Sequence, residues 1–248
     1  MDEKAENFTL GLGWSPDKID ERDLLWRSVV APQSVSVPAK FRLSALGKVL
    51  NQGQTSQCVA FSTASMKMYH EFVSHKKYYR FDPNWLYTEC KKVDGYNGDG
   101  TYLRVALQIV QDRGYLAKAE RYKLKDDTPF KIEKYVRLTS INQVCEALYF
   151  VGPVVFGISV DEGIYNPVRG IIPEPDPSKT IGGHAMLIVG FDKNKKCQGS
   201  VGAFLIKNSW GKEWGSKGLA WMPFSHFAAY PEFDAWKSLD SKDLLVVS

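Results

Sequence analysis

The sequence predicts an α+β fold with two lobes and a cleft between them. Helical patterns lie in the first half of the chain, and strand-like apolar runs dominate from residue 154 onward. Helices that precede the strands in this way favour separate helical and sheet layers over alternating β-α-β units. The 248 residues are enough for one large domain or two small ones, and an aromatic content of 13% indicates a folded chain.

Residues 1 to 37 are predicted to form an N-terminal arm with little regular structure. Glycine and proline interrupt it at residues 11 to 13, at Pro16 and at Pro32. The charged first seven residues lack the apolar run of a secretory signal, so we expect a cytoplasmic protein or one exported without such a signal. The apolar residues between Leu24 and Val29 suggest that the arm folds onto the body and covers part of the cleft.

The first helix is predicted to begin at Cys58, directly after the turn-forming residues 52 to 57. Apolar and small residues then recur at helical spacing up to Tyr69. A second helix is predicted over Thr101 to Arg113, with Gly114 as its C-cap, and a short one over Ile141 to Tyr149.

Apolar runs in the second half are predicted to be strands. They are Val154 to Val160, Ala185 to Phe191, Ala203 to Lys207 and Leu219 to Met222. The longest mostly apolar stretch has 14 residues, from Ala147 to Val160, and Gly152 and Pro153 interrupt it. It is too short to cross a bilayer, so we expect no membrane-spanning helix.

Charge and cysteine usage exclude several classes of function. The 32 basic and 28 acidic residues give a net charge of +4 and are interspersed, which provides no patch for nucleic acid or for an anionic membrane. The four cysteines are widely spaced, with no C-x-x-C pair and no histidine at ligand spacing. This pattern disfavours a zinc site and does not indicate a disulfide framework, and it leaves at least one cysteine in need of a chemical explanation.

Cys58, His184, Asn208 and Gln52 have the residue types that a thiol nucleophile needs. A nucleophilic cysteine requires its thiolate form, a base, and a group that orients the base. The dipole of the helix that begins at Cys58 favours a thiolate, and the Gln52 amide could point at a developing oxyanion. His184 lies where a loop enters a strand, and Asn208 ends another strand and can accept the second imidazole N–H.

At these positions the sequence resembles the papain-like cysteine peptidases, in which the histidine and asparagine follow the cysteine by about 130 to 150 residues. The intervals here are 184 − 58 = 126 and 208 − 58 = 150. The resemblance is carried, in the family's order, by the blocks Asn51-Gln52-Gly53 with Cys58-Val59-Ala60-Phe61, Gly183-His184-Ala185, and Lys207-Asn208-Ser209-Trp210-Gly211.

The resemblance implies a helical left lobe at about 50 to 120, a β-barrel-like right lobe at about 125 to 235, and a peptidase domain over 38 to 248. It also implies that Cys58 is the nucleophile, His184 the acid and base, and Asn208 the orienting residue. Gln52 and the Cys58 backbone N–H would form the oxyanion hole. Trp210 would shield the hydrogen bond between Asn208 and His184 from water.

The same resemblance implies a glycine-rich loop that binds the substrate backbone by antiparallel pairing. Its equivalent here is Gly98-Asp99-Gly100-Thr101, and we expect Asp99, Gly100 and Thr101 to bind substrate together with Gln57, Gly183 and Trp210. The implied partner is a peptide or protein substrate. No metal, organic cofactor, nucleic acid or membrane is expected, and we expect a monomer.

Two features depart from the family pattern. Thr55 stands where the family often has a disulfide cysteine, and the region near Gly98 also lacks one, so we expect free thiols. The arm of about 37 residues is much shorter than the propeptides of eukaryotic relatives, and it resembles the short pre-regions of bacterial papain-like enzymes.

Alternatives remain open from the sequence. The same four residues could serve acyl transfer, such as transglutamination or side-chain deamidation, or the chain could be a catalytically silent scaffold that binds a protein through its cleft. Cys58 alone could be a buried inert cysteine. A calcium loop over residues 94 to 101 is disfavoured, because Gly95, Gly98 and Ala106 occupy positions that would need ligands.

Overall fold

The computed structural model describes residues 10–30, 35–117, 130–240 and 243. The helices in these ranges are α1 (Trp26–Val29), α2 (Cys58–His75), α3 (Pro83–Lys91), α4 (Leu103–Arg113), α5 (Ile141–Phe150) and α6 (Ser225–Ala229). The strands are β1 (Lys40–Arg42), β2 (Lys134–Leu138), β3 (Val154–Asp161), β4 (Thr180–Lys196), β5 (Val201–Lys207), β6 (Leu219–Pro223) and β7 (Asp234–Leu239). The first seven residues, Pro32, and the predicted boundary between the lobes near residues 120 to 125 lie outside the described ranges.

The strands form one antiparallel sheet in the order β2-β7-β3-β4-β5-β6, and β1 pairs with β4. The long strand β4 lies at its centre, between β3 and β5. Because β4 and β5 are antiparallel with Leu187 opposite Lys207, residues just before Leu187 lie beside residues just after Lys207. The register therefore brings His184 next to the segment that begins at Asn208.

Helix α2 carries Cys58 to the sheet. It begins at the predicted residue because turns precede it, and it ends where Lys76 adopts a left-handed conformation with φ of 54°. The helix packs against β3 and β4 and is buried along most of its length. Cys58 therefore faces the strand that holds His184.

The α+β class and the predicted helices and strands are confirmed, with shifted ends. Strand β4 begins at Thr180, so His184 lies within a strand and not at a loop junction as predicted. Elements that the sequence analysis missed are α3, α6, β1, β2 and β7. Helix α3 had detectable signals, because Asp82 caps the Asn84 N–H and Pro83 occupies the first turn. Strand β7 is fully buried although it contains Asp234, Lys237 and Ser238, so its composition concealed it.

No helix among the described residues is long and apolar enough to cross a membrane. Apolar side chains from both halves of the chain form a continuous core, which includes Trp14 and Trp26 from the arm. The arm thus contributes buried surface, and α1 is a short helix in a segment that was predicted to have little regular structure.

Candidate active site

Cys58 is fully buried at the first position of α2. Backbone N–H groups lie close enough to its sulfur to lower the pKa of the thiol, first that of Ala185 and then those of Val59, Gly13 and Cys58 itself. Because Ala185 follows His184, the sulfur lies against the part of β4 that carries the imidazole. Helix α2 and strand β4 together bring the two side chains predicted to react to one place.

His184 and Asn208 form a direct hydrogen bond in which Nε2 of the ring lies 2.8 Å from Oδ1 of the amide. The Ser209 backbone N–H donates to the same Oδ1, which fixes the amide orientation. Because Oδ1 can only accept, Nε2 carries the proton and Nδ1 is the basic nitrogen of the neutral ring. Nδ1 has no hydrogen-bond partner among the described residues. The Trp210 ring stacks on the imidazole with centroids 4.4 Å apart and excludes water from the hydrogen bond.

Gln52 reaches this site through backbone pairing between residues 50 to 52 and residues 209 to 211. Its Oε1 accepts a 2.6 Å hydrogen bond from the Ser209 hydroxyl, so its Nε2 must face the cleft. Nε2 donates to the carbonyl oxygens of Thr55 at 2.7 Å and Gly11 at 3.1 Å. Ser209 was quoted in the asparagine block but given no role in the sequence analysis, and its contact with Gln52 was not predictable from spacing.

Residues 10 to 15 of the arm lie along the same surface. The Gly13 and Trp14 N–H groups donate to the Gly183 carbonyl oxygen at 3.0 and 3.1 Å. On the other side, the Thr101 N–H donates to the Gly13 carbonyl oxygen at 3.0 Å, and the Ser15 N–H donates to the Thr101 carbonyl oxygen at 3.1 Å. Trp14 and Thr101 therefore form a parallel bridge. The arm segment lies between two backbone positions that were predicted to bind substrate.

The comparisons with known proteins agree with this geometry. The family model described as "Papain family cysteine protease" matches residues 31 to 226, which is most of the chain. The chain belongs to the papain family of cysteine proteases.

Relatives of this papain-family chain include viral and animal proteins. It is 26% identical over 255 residues to an uncharacterised peptidase C1-like protein of Acanthamoeba polyphaga mimivirus, covering 90% of this chain and 75% of the viral one. It is 29% identical over 183 residues to procathepsin L of Mus musculus, covering 68% of this chain. The chain spans about half the length of that precursor, since the match covers 54% of it.

Solved structures share the fold. The crystal structure of xylellain, a cysteine protease from Xylella fastidiosa, is 25% identical with a TM-score of 0.75, and the match covers 93% of this chain and 96% of that one. Digestive procathepsin L 3 of the Tenebrio molitor larval midgut, at 20% identity and a TM-score of 0.64, shares the fold, and the match covers 88% of this chain and 76% of that one.

Glycines allow the arm to approach the papain-family site closely. A Cβ on Gly13 would overlap the Ser56 carbonyl oxygen, and one on Gly11 would overlap the Thr55 carbonyl oxygen. A Cβ on Gly100 would lie 2.6 Å from the Gly13 carbonyl oxygen. The backbones are therefore in contact on both sides of the arm, with no room for side chains between them.

Trp14 fills a recess beside the site and is only 4% exposed. Its indole lies on Gly157 of β3 and against Gly183 of β4, where a Cβ on Gly157 would overlap the ring. From the sequence, Trp14 was only one residue of the predicted arm, and its buried position was missed. No local signal reveals it, because the two glycines lie more than a hundred residues away in the chain.

Burial sets the protonation of the two side chains that are predicted to react. Desolvation raises the pKa of the Cys58 thiol to about 12, although four N–H groups pull it downward. Desolvation also lowers the pKa of His184 to about 4 against the opposing effect of the Asn208 hydrogen bond. The sequence analysis expected the helix dipole to favour a thiolate. In this structure the removal of water outweighs the dipole, and the pair is a neutral thiol and a neutral imidazole.

The remaining predicted substrate-binding residues differ in their placement. Asp99 is exposed, and its carbonyl oxygen accepts a 2.6 Å hydrogen bond from the Tyr87 hydroxyl. Gln57 occupies the N-cap of α2 without a capping hydrogen bond, and its buried Oε1 has no partner among the described residues. The structure thus brings Gly100, Thr101, Gly183 and Trp210 to the arm segment, whereas the side chains of Asp99 and Gln57 make no contact there that the structure records.

A group of potential metal ligands lies elsewhere in the described part of the chain. His70, Asp240 and Asp243 offer ligand atoms within 4.8 Å of one another. The Lys237 ammonium already lies 2.8 Å from Nε2 of His70, and the Lys67 ammonium lies 3.9 Å from Asp240. These lysines supply positive charge to the cluster, so the donor set does not favour a metal ion.

Proposed function

We propose that this chain hydrolyses peptide bonds, with Cys58 as the nucleophile and His184 as the acid and base. The observation that carries the proposal is the His184–Asn208 hydrogen bond, which leaves Nδ1 as the basic nitrogen of a ring whose next residue, Ala185, lies at the Cys58 sulfur. This arrangement of nucleophile, base and orienting group is the one that covalent catalysis requires.

The first half of the proposed reaction forms a thioester. Nδ1 of His184 takes the proton from the Cys58 thiol, and the sulfur attacks the carbonyl carbon of the substrate. The tetrahedral intermediate collapses when the same nitrogen gives its proton to the leaving amine, which breaks the C–N bond. Asn208 keeps the imidazole ring oriented through both transfers.

The oxyanion of this intermediate would be stabilised by two donors, Nε2 of Gln52 and the Cys58 backbone N–H. The Ser209 hydroxyl holds the Gln52 amide with its nitrogen toward the cleft. The Cys58 N–H lies in the first turn of α2, where helical N–H groups have no carbonyl partner within the helix. Preorganised donors of this kind stabilise charge without reorganising during the reaction.

The second half of the reaction restores the enzyme. A water molecule loses a proton to Nδ1 of His184 and attacks the thioester carbon. The C–S bond breaks, the carboxylic acid product leaves, and the proton returns to the Cys58 sulfur. No atom or electron is needed beyond the substrate and water.

We also propose that residues 10 to 15 inhibit the enzyme while they occupy the cleft. The carbonyl oxygen of Gly11 takes the Gln52 amide that the oxyanion would need. The bridge between Trp14 and Thr101 is parallel, whereas the family resemblance implies antiparallel pairing for a substrate. The arm therefore runs in the direction opposite to that of a substrate. This direction supports a role for the arm as a segment that blocks the cleft and is not itself cleaved.

Product analysis on a quenched peptide substrate tests the proposed reaction. The wild-type chain is expected to release new peptide termini, and Cys58→Ser is expected to release none. Ammonia without cleavage would overturn the proposal in favour of deamidation. Absence of both products from a folded chain with a displaced arm would favour the silent scaffold.

A further inference from the structure

The loop that pairs with the arm, residues 94 to 101, lies between α3 and α4 and contains three glycines. Thr101 at its end offers the N–H and carbonyl oxygen that bind the Gly13 to Ser15 backbone. The cysteines within the described ranges are all free, so no disulfide fastens this loop. A glycine-rich loop without a cross-link needs another means of holding a binding geometry.

The Lys91 side chain, at the last position of α3, supplies such a fastening. Its ammonium donates to the carbonyl oxygens of Tyr96 at 2.8 Å, Gly98 at 2.9 Å and Gly100 at 3.0 Å. It also forms an ion pair at 3.1 Å with the Asp94 carboxylate, whose side chain is only 1% exposed. The one ammonium therefore binds three carbonyl oxygens and one carboxylate that lie along the loop.

This arrangement resembles the oxygen cage of a bound metal ion, with the ammonium at its centre. The calcium interpretation of residues 94 to 101 was disfavoured on ligand positions, and the structure shows which cation the loop does hold. The three carbonyl oxygens share the ammonium as their partner. Charge-assisted hydrogen bonds of this kind are shorter and stronger than neutral ones. The Lys91 side chain is 25% exposed and makes no contact with the arm that the structure records.

The last carbonyl of the cage belongs to Gly100, the residue before Thr101. The position of the Gly100 peptide sets where the Thr101 N–H points, because that N–H belongs to the same planar peptide unit. Tyr87 of α3 adds a second fastening through the Asp99 carbonyl oxygen. The end of α3 thereby orients the edge against which a peptide backbone is bound.

We propose that Lys91 is a positioning residue for peptide binding, which acts through the Gly100–Thr101 peptide unit and replaces the disulfide that this loop lacks. The inference rests on the proposed function, because it assigns substrate binding to the edge that the arm occupies. It predicts that loss of the ammonium impairs recognition of a peptide backbone while leaving the reactivity of the Cys58 thiol unchanged.

The test compares two alkylating reagents in a full-length Gly13→Val parent, where the added side chain displaces the arm from Ser56. A peptidyl epoxide needs the Thr101 edge to bind, whereas iodoacetamide needs only the thiolate. In Lys91→Met, we expect the rate constant for the epoxide to fall at least tenfold and that for iodoacetamide to change less than twofold. For a peptide substrate, KM should rise with little change in kcat.

Lys92→Met is the matched control, because Lys92 is the next residue and its ammonium pairs with Glu89 outside the loop. It should leave both alkylation rates unchanged. In Lys91→Ala, added propylammonium should restore part of the epoxide rate, and it should have no effect in Lys92→Ala. Hydrogen exchange should become faster over residues 95 to 101 and stay unchanged in α2.

Equal loss of both alkylation rates, with faster exchange throughout the chain, would overturn the inference in favour of a general structural role. An unchanged epoxide rate with unchanged exchange would also overturn it. If the proposed function is wrong, the result is different: neither reagent modifies Cys58 in the Gly13→Val parent, and no peptide is cleaved. The exchange measurement tests the loop in that case, because it does not depend on activity.

Discussion

The neighbours of Gln52 fix the orientation of its side-chain amide. The Ser209 hydroxyl occupies its oxygen, and its nitrogen faces the cleft, where the Gly11 carbonyl oxygen now lies. We expect Gln52→Ala to lower kcat/KM by about 10²- to 10³-fold, the usual loss for one oxyanion donor. The exposed neighbour Gln54 provides the control, since Gln54→Ala removes the same amide without reaching the site. Equal rates in the two variants would show that Gln52 does not bind the oxyanion.

The burial of Cys58 determines how its alkylation depends on pH. Burial raises the pKa of the thiol to about 12, so the thiol stays neutral below that value and its thiolate fraction rises with pH. We expect alkylation of Cys58 by iodoacetamide in the wild-type chain to rise about tenfold for each pH unit between about pH 6 and 9. In Gly13→Val, where water returns to the sulfur, the rate should level off within this range. Mass mapping separates Cys58 from the other thiols, and identical pH profiles would contradict the role assigned to burial.

The arm segment is held by close backbone contact, which makes it sensitive to a single side chain. A Cβ on Gly13 would overlap the Ser56 carbonyl oxygen. We expect Gly13→Val to displace residues 11 to 15 and to raise peptide hydrolysis at least tenfold. Ile19→Ala is the control on the same arm, because Ile19 is 90% exposed. A Gly13→Val variant that is folded but no more active than the wild-type chain would show that the arm does not inhibit.

Further along, the arm is anchored by charged groups on three elements. Asp17 and Asp23 of the arm meet Arg104 of α4, Arg137 of β2 and the fully buried Asp234 of β7. Burial and the adjacent Asp17 carboxylate raise the pKa of Asp234 well above its ordinary value. Because the docked state holds this proton more tightly than the released state does, docking is favoured at low pH and weakens as the pH rises.

We therefore expect cleft opening in the wild-type chain, measured by the epoxide rate relative to Gly13→Val, to increase with pH. Asp234→Asn imitates the protonated carboxyl and should make that ratio rise less steeply with pH. Glu146 offers a control, because it pairs with Arg27 of the arm at a more exposed position. Glu146→Gln should keep the wild-type pH dependence, and an unchanged slope in Asp234→Asn would contradict the role of the acid pair.

Local signals predicted some elements well and others not at all. The helix at Cys58 was predictable because turn residues and a helical repeat adjoin it, and Gly114 marked the end of α4. Strand β7 was not predictable, because the buried Lys237 contacts His70, which lies far away in the sequence. The position of Trp14 depends in the same way on Gly157. Contacts of this kind are set by packing and leave no trace in the local pattern.

At the scale of the whole molecule, the site exists because α2 packs on the centre of the sheet. Strand β4 holds His184, its neighbour β5 leads to Asn208, and α2 presents Cys58 to both. The family resemblance identified the sequence blocks around Cys58, His184 and Asn208. The packing of α2 and the register of the sheet explain why these blocks lie together. The arm crosses the same surface and adds Trp14 and Trp26 to the core, so the inhibition that we propose and the folding of the chain share residues.

Labelling with a peptidyl epoxide, followed by mass mapping, tests whether Cys58 is a nucleophile that depends on His184 and is covered by the arm. Full-length wild-type chain, Gly13→Val, and Gly13→Val combined with His184→Ala would be compared, each confirmed as folded. We expect label on Cys58 that forms at least tenfold faster in Gly13→Val than in the wild-type chain and is largely lost without His184. A folded Gly13→Val chain with an open cleft and no label on Cys58 would show that Cys58 is not the nucleophile.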